Sequence, residues 1–130
     1  MKISRTTDYA LIRDLNAATV IVEMQPETYD DSDWWVVRDC KNEAVAYAGL
    51  YTAIKDQGWL VRAGVLRHAR GGGLQKRLIR VREARARKLG IPVLFTYTAD
   101  WNKASMASLA QCGFVPYSTS EHYIYWSKKL

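Results

Sequence analysis

Residues 59–90 read WLVRAGVL, then RHARGGG, then LQKRLIRVREARARKLG, and this stretch decides the fold. Residues 59–66 are apolar and rich in β-branched side chains, which predicts a buried strand. Residues 74–89 predict an amphipathic helix that ends at Gly90, because charges separate apolar positions at helical spacing. Those positions are Leu74, Leu78, Val81 and Ala84.

Three consecutive glycines, Gly71 to Gly73, join this strand to this helix, and Arg70 precedes them. Glycine lets backbone N–H groups approach an anion closely, and the N-terminus of a helix carries a partial positive charge. Lys76 and Arg77 place positive charge near the positive end of the helix dipole, which is unfavourable. An anion bound at the turn would offset that repulsion. The segment therefore predicts a phosphate-binding turn; the alternative is a flexible connection.

The spacing excludes two familiar nucleotide-binding loops. The sequence has no GxxxxGK[ST] motif and no GxGxxG followed by a suitably placed acidic residue. The segment instead resembles motif A of the GNAT N-acetyltransferase superfamily, V-x-P-x-x-R-G-x-G-[I/L], and the matching residues are Val65, Arg70, Gly71, Gly73 and Leu74. Arg67 replaces the proline of that pattern, and His68 stands where Gln or Arg is common.

A second stretch resembles motif B of the same family, in which an Asn opens a helix and Gly-Phe closes it. It reads Asn102-x-x-Ser105-x-x-x-Leu109-x-x-x-Gly113-Phe114 and is separated from the first match by one predicted strand. The resemblance covers residues 60–117, and the first 58 residues fit only in their pattern of elements.

The resemblance implies a binding site for acetyl-CoA as the acetyl donor. Backbone groups of Val65 and Leu66 pair with the pantetheine arm like an added strand, and a bulge expected at Gly64 splays that strand from residues 93–98. The turn faces the diphosphate, and Lys76 or Arg77 reaches the 3′-phosphate. The implied donor-binding residues are Val65, Leu66, Arg70, Gly71, Gly72, Gly73, Leu74, Gln75, Lys76 and Asn102, the last of which is also a natural helix N-cap.

Acetyl transfer needs a deprotonated amine and a proton for the departing thiolate. Many relatives serve the thiolate with a Tyr seven residues after the Asn, but Leu109 stands there and has no proton to donate. A subset of the family uses a Ser three residues after the Asn for this step, so the resemblance implies Ser105 as a catalytic residue, and Tyr117, just after Gly-Phe-Val-Pro, is the second candidate. The predicted strand 59–66 has no carboxylate, only Arg62, so Asp100, Glu23 or a water relay stay open as the base.

The acceptor side of the site has one clue in the sequence. An acidic segment, residues 27–33, would attract a cationic amine; the alternative is a solvated acidic loop. Trp34, Trp35 and Trp101 are predicted to lie in the core and not to form an acceptor cage.

Composition bounds the remaining possibilities. The 130 residues suit one domain spanning 1–130, and 48% hydrophobic residues are enough for a core. Cys40 and Cys112 are predicted to be free thiols in a reducing, cytoplasmic compartment, and the spacing of Cys and His predicts no metal site. No apolar run is long enough to span a membrane.

The positive charge is concentrated on one helix. Nine Lys or Arg and one acid, Glu83, lie between Arg67 and Lys88, whereas the net charge of the whole chain is +6. A solvated face is the favoured explanation for most of Arg80, Arg82, Arg85 and Arg87. The other hypotheses are attraction of a polyphosphate donor or binding of nucleic acid.

The flanking segments complete the predicted architecture. A helix from about Asp8 capped by Thr6 or Thr7, a short helix over 19–24, and strands over 34–37 and 44–54 precede the central strand. A strand over 93–98, a helix over 102–111 and a closing hairpin follow it. The fold class is α/β (α+β): a GNAT-like mixed, mostly antiparallel sheet flanked by helices, with a parallel βαβ unit made of strand 59–66, helix 74–89 and strand 93–98.

These features predict an N-acetyltransferase that transfers acetyl from acetyl-CoA to a primary amine of a small molecule or protein, as a monomer or homodimer. The alternatives are a basic-helix module that binds nucleic acid and a non-catalytic relative that binds a protein partner.

Overall fold

The computed structural model describes residues 1–19 and 27–130, so most of the helix predicted over 19–24 lies outside the described residues. Seven strands form one sheet in the order β1-β2-β3-β4-β5-β7-β6. The strands are β1 (Lys2–Thr6), β2 (Ser32–Arg38), β3 (Ala44–Tyr51), β4 (Gly58–Val65), β5 (Val93–Ala99), β6 (Val115–Thr119) and β7 (Tyr123–Lys129). The α-helices are α1 (Tyr9–Thr19), α2 (Glu27–Asp30), α3 (Leu74–Lys88) and α4 (Lys103–Gln111).

The sheet is mixed and mostly antiparallel, which confirms the predicted fold class. Among the strands of the described residues, only β4 and β5 pair in parallel, as the crossover through α3 requires. Strand β1 was not predicted, and it pairs with β2 along the sheet edge. The predicted strand over 44–54 ends at Tyr51, and the predicted acidic loop contains the short helix α2. Asp8, and not Thr6 or Thr7, caps α1 by accepting a hydrogen bond from the Leu11 N–H.

Helices cover the two faces of the sheet unequally. On one face, α3 and α4 pack over the larger apolar cluster, which includes Leu78, Leu94 and Trp126. On the other face, α1 packs over β3 and β4 around Trp34 and Tyr47. No helix within residues 1–19 and 27–130 is long and apolar enough to cross a membrane.

Strands β4 and β5 diverge soon after they meet. Their ladder contains Gly58 opposite Leu94 and Trp59 opposite Phe95. Beyond those pairs, the Thr96 hydroxyl donates to the Leu60 carbonyl at 3.0 Å, in place of a main-chain bond. The divergence leaves a split in the sheet that opens toward the C-terminal ends of both strands.

A β-bulge in β4 stands next to this split, at Arg62 and not at Gly64 as predicted. Val61 pairs with Gly49 and Ala63 with Ala48, so Arg62 is left out of the ladder, with φ of +28°. Gly64 has a different reason to be glycine. A Cβ there would overlap the Thr19 hydroxyl and stand 2.7 Å from Cε1 of Tyr47, so close packing against Thr19 and Tyr47 excludes a side chain.

Two of the four arginines considered for a solvated face form hydrogen bonds or an ion pair within the protein. The Arg82 side chain is 3% exposed and donates to the carbonyls of Leu78 and Gly49 at 3.0 and 3.1 Å. Burial lowers the pKa of Arg82 to about 9. Arg85 forms an ion pair with Asp33 at 3.0 Å. The prediction holds for exposed Arg80 and Arg87 but is wrong for Arg82, because α3 lies across the sheet and turns that position inward.

The buried hydroxyl of Tyr47 makes stability depend on pH. It donates to Asn16 Oδ1 at 2.7 Å, and burial raises the pKa of Tyr47 to about 12. The unfolded chain therefore loses this proton first, so the contribution is intact below pH about 10 and lost as pH rises toward about 12. We expect the difference in unfolding free energy between wild type and Tyr47→Phe to shrink by up to about 2 kcal/mol across that interval. Urea denaturation at pH 8 and pH 11 reaches about 1.4 kcal/mol of this change, and a constant difference would contradict the assignment.

Candidate functional site

The glycine turn is open to an approaching ligand. Gly71 and Gly73 have φ of +84° and +79°, a conformation that favours glycine. A Cβ at either position would meet nothing within 4 Å, and all three glycines are exposed. The first turn of α3 has Gly73 as its N-cap and no capping side chain among the described residues. Its free N–H groups and the helix dipole together suit an anion.

The end of β4 presents Val65 beside this turn. Arg70 donates from Nε to the Val65 carbonyl at 2.9 Å, which fixes the arginine against the strand. The Leu66 N–H donates to the Val45 carbonyl at 2.8 Å, and the Leu66 carbonyl accepts from Ala69 N–H at 2.9 Å. Leu66 thus uses both of its main-chain groups within the chain, whereas the Arg70 bond occupies only the carbonyl of Val65. Of the two residues, Val65 is therefore the better placed to pair with a ligand, through its N–H group.

Two cations in the first turns of α3 differ in their contacts. Lys76 donates from Nζ to Gln111 Oε1 at 2.9 Å, which links α3 to α4. Arg77 is exposed and contacts the Met1 carbonyl at 3.4 Å. Gln75 is half-buried next to them. Lys76 has the more fixed position, and Arg77 has the freer guanidinium.

The start of α4 lies directly after β5, on the open side of the split. Asn102 is the N-cap of α4 and accepts a hydrogen bond from the Ser105 N–H at 3.2 Å. Ser105 is half-buried, and Leu109, one turn further along, is buried in the core. The capping role of Asn102 is thus observed, and its contact with a ligand stays a prediction.

Tyr117 and Ser105 lie on different faces of the sheet. The Tyr117 ring packs on Phe95, with centroids 6.0 Å apart, whereas α4 packs against α3 on the opposite face. Tyr117 is also 53% exposed. The structure therefore does not bring the two catalytic candidates together.

Of the three tryptophans predicted to lie in the core, two do and one does not. Trp34 and Trp35 are buried at 1% and 5% exposure, as predicted. Trp101 is 76% exposed, so its predicted core position is wrong. It occupies the tight turn between β5 and α4, where the Asn102 N–H bonds to the Ala99 carbonyl and leaves the indole outside.

The acidic residues proposed for the acceptor side and for the base do not lie together in the described structure. Asp33 is held by Arg85, beside the C-terminal half of α3 and away from the glycine turn. Asp100 is exposed at the end of β5, where its N–H donates to the His122 carbonyl. Glu23 lies outside the described residues.

These features place an exposed glycine turn at the start of α3 beside the split between β4 and β5. The open glycine amides fit a diphosphate, and the split beside Val65 fits an extended arm that runs between β4 and β5. A nucleotide-linked thioester such as acetyl-CoA has both parts, so the residues present fit the donor that the sequence resemblance implies.

Comparison with known proteins agrees with this geometry. A sequence model of the acetyltransferase (GNAT) family matches residues 7–114, which is most of the chain. The chain belongs to the acetyltransferase (GNAT) family. The predictions of this family and of an acetyltransferase enzyme are therefore confirmed.

Solved GNAT structures share the whole fold at low sequence identity. The IAA acetyltransferase from Bacillus cereus ATCC 14579 is 17% identical over 99% of both chains, with a TM-score of 0.88. The ribosomal-protein-S18-alanine N-acetyltransferase from Escherichia coli is 16% identical over 98% of this chain and 92% of its own, with a TM-score of 0.82. A GNAT family acetyltransferase from Elizabethkingia anophelis, solved with acetyl-CoA bound, is 14% identical over 99% and 97%, with a TM-score of 0.82. No curated protein sequence matches the chain significantly.

One residue beside the split was not singled out from the sequence. In the sequence, Arg62 is the charged residue of a strand without carboxylates, whereas in the structure it is the bulge residue at the split. A lone arginine in an apolar strand was the available signal, but the position of a bulge depends on strand pairing that no local pattern shows.

Proposed function

We propose that this protein catalyses direct transfer of an acetyl group from acetyl-CoA to a primary amine. The observation that carries the proposal is the open glycine turn at the N-terminus of α3, beside a split between two parallel strands. Acetyl-CoA, when bound, supplies the acetyl group as a thioester. The E. anophelis relative with acetyl-CoA bound supports this donor.

The chain's own residues have distinct roles toward the donor. The N–H groups of Gly71, Gly72, Gly73 and Leu74 receive the diphosphate. Arg70, held on the Val65 carbonyl, adds positive charge. Gln75 and Lys76 flank the phosphates, with Arg77 as the alternative cation, and Val65 pairs with the pantetheine arm. Asn102 orients α4 through its N-cap bond.

The reaction forms a C–N bond and breaks a C–S bond. One proton leaves the amine nitrogen, and one reaches the departing sulfur. Asp100 or a water relay accepts the first, since the described part of β4 has no carboxylate. Ser105 is the better candidate for delivering the second, because α4 positions it beside Asn102, whereas Tyr117 lies on the aromatic face of the sheet.

Ser105 and Tyr117 can be separated by their effects on turnover. A thiolate leaves readily without help, so we expect Ser105→Ala to lower kcat by only about tenfold, below the roughly 10²- to 10⁴-fold contribution typical of general acids and bases. We expect Tyr117→Phe to change kcat by less than about threefold. Steady-state kinetics with one fixed amine measures both values, and a larger loss for Tyr117→Phe would reverse the assignment.

The function itself is tested by thiol release. Purified protein is incubated with acetyl-CoA and a panel of amines, and free CoA is followed with a thiol reagent while mass spectrometry identifies the acetylated product. We expect amine-dependent release above the hydrolysis rate. Acetyl-CoA binding without turnover on any amine would favour the non-catalytic alternative, and steeply salt-dependent RNA binding without acetyl-CoA binding would favour the basic-helix alternative.

A further inference from the structure

Arg62 is a strained cation at the edge of the split between β4 and β5. It is the bulge residue of β4, and its φ of +28° is rare for a residue with a side chain. Such conformations persist where the surrounding structure holds them, and they concentrate at functional sites. Here the neighbouring pairs, Val61 with Gly49 and Ala63 with Ala48, hold Arg62 on both sides.

The charge of Arg62 acts on the face of the sheet that carries α1. Tyr47 belongs to the apolar cluster under α1. Tyr47 lies opposite Gly64 in the β3–β4 ladder, two residues from Arg62. In keeping with that placement, burial raises the pKa of Tyr47 and the positive charge of Arg62 partly opposes the rise. Arg62 is half-buried, and none of the ion pairs within residues 1–19 and 27–130 includes it.

The other side of the split is aromatic on this same face. Thr96 and Thr98 of β5 are buried, and Thr98 bonds Trp126 in the cluster under α3 and α4. Tyr97 lies between them in the strand, so it points to the other face, the one that carries α1, and it is 53% exposed. The Tyr97 ring packs against Tyr123 and Tyr125, with centroids 5.4 and 6.1 Å apart. Phe95, two residues earlier, stacks on Trp59 at 5.2 Å and closes the narrow end.

A half-buried guanidinium that takes part in none of the described ion pairs suits a ligand that brings a carboxylate. Arginine pairs with a carboxylate through two parallel hydrogen bonds, and partial burial strengthens such a pair. A cation at this place would repel a polyamine but lowers the pKa of a nearby ammonium group, which increases the neutral, nucleophilic fraction of an amine. The positive charge of Arg62 therefore favours an acceptor that carries a carboxylate to pair with it and an amine to accept the acetyl group.

We propose that Arg62 binds the carboxylate of the acceptor and that the acceptor is an aromatic α-amino acid or a close analogue whose ring lies against Tyr97. This inference rests on the proposed acetyl transfer and names the substrate class for the same site. In the transfer, the acceptor nitrogen gains the acetyl carbon and loses one proton, the thioester C–S bond breaks, and the sulfur leaves with one proton as free CoA thiol.

Kinetics on matched acceptors tests the proposal. Phenylalanine, phenylalanine amide, phenethylamine and the phosphonate analogue of phenylalanine are compared at fixed acetyl-CoA. We expect kcat/KM to be about 10- to 100-fold higher for phenylalanine than for phenethylamine, the range of a charge-assisted pair. Alanine, which has the carboxylate but no ring, should be acetylated more slowly than phenylalanine. Equal values for phenylalanine and phenethylamine, or preference for the phosphonate, would overturn the proposal.

Variants assign the preference to Arg62. We expect Arg62→Gln to remove the advantage of phenylalanine over phenethylamine and Arg62→Lys to retain part of it. Arg80→Gln removes the same charge from the exposed face of α3 and should keep the full preference. Melting temperatures confirm that each variant is folded, and an unchanged preference in folded Arg62→Gln would refute the role.

A binding measurement separates this proposal from the proposed function. Calorimetry with CoA present compares N-acetylphenylalanine with N-acetylphenethylamine on wild type and Arg62→Gln. Tighter binding of the carboxylate product by wild type alone supports the Arg62 site, even if no amine is turned over and acetyl transfer itself fails. Turnover of amines without any carboxylate preference refutes the Arg62 site and leaves acetyl transfer standing.

Discussion

Replacing Gly71 with Glu should weaken acetyl-CoA binding by at least about 100-fold, because it places a carboxylate among the amides that receive the diphosphate. The φ of +84° at Gly71 also disfavours any side chain, by about 1 to 2 kcal/mol. Isothermal titration with acetyl-CoA measures the loss of affinity.

Gly90 is the matched control for this change. It has φ of +75° and open space where a Cβ would lie, so Gly90→Glu introduces the same strain and the same charge. It stands at the opposite end of α3, about 20 Å away and well beyond the screening length at physiological salt. We expect Gly90→Glu to lower the melting temperature like Gly71→Glu but to leave acetyl-CoA affinity within about threefold. Equal losses of affinity, or none in either variant, would argue against a diphosphate in the glycine turn.

Replacing Gly49 with Val should lower the unfolding free energy by about 3 kcal/mol or more. A Cβ at Gly49 would stand 2.5 Å from Cζ3 of Trp34, closer than atoms approach each other in real structures. The indole cannot move aside, because Trp34 is fully buried between Tyr29 and Tyr47 and donates from Nε1 to the Tyr29 carbonyl at 3.1 Å. Urea denaturation at pH 7 measures the loss.

A second substitution shows whether this contact is the cause. Trp34→Leu creates space beside Gly49, so the double variant should be less destabilised than the sum of the two single changes. Gly72→Val is the control, since its nearest neighbour would be the Ala69 carbonyl at 4.0 Å, and it should change stability by less than about 0.5 kcal/mol. Additive effects of Gly49→Val and Trp34→Leu would point to backbone strain at the bulge instead.

The parts of the fold that the sequence predicted are those set by local chemistry. The glycine run, the amphipathic pattern of α3 and the Asn102 cap each act over a few residues, and the structure has the turn, the helix and the cap where the spacing placed them. The bulge illustrates the limit. The bulge was expected at Gly64 because glycine tolerates unusual backbone angles. Arg62 adopts those angles instead, and Gly64 is glycine because neighbouring side chains leave no room for a Cβ.

Burial was harder to predict than element type. Arg82 belongs to a run of charges typical of a solvated face, but α3 crosses the sheet so that this one side chain reaches the Gly49 carbonyl. Trp101 is as apolar as Trp34, but a turn of three residues holds it away from both clusters. Strand β1 has only Ile3 among large apolar residues, so its composition does not predict a strand. It becomes one because it pairs with β2.

The split between β4 and β5 gives this protein two sheet edges in its interior. Sheet edges at a protein surface invite pairing with other chains and promote aggregation. Here the two edges face each other across the split, and side chains already bond two carbonyls of β4, Thr96 to Leu60 and Arg70 to Val65. Because each edge faces the other and not a neighbouring molecule, the remaining main-chain groups can stay available for a ligand with less risk of self-association than at an outer edge.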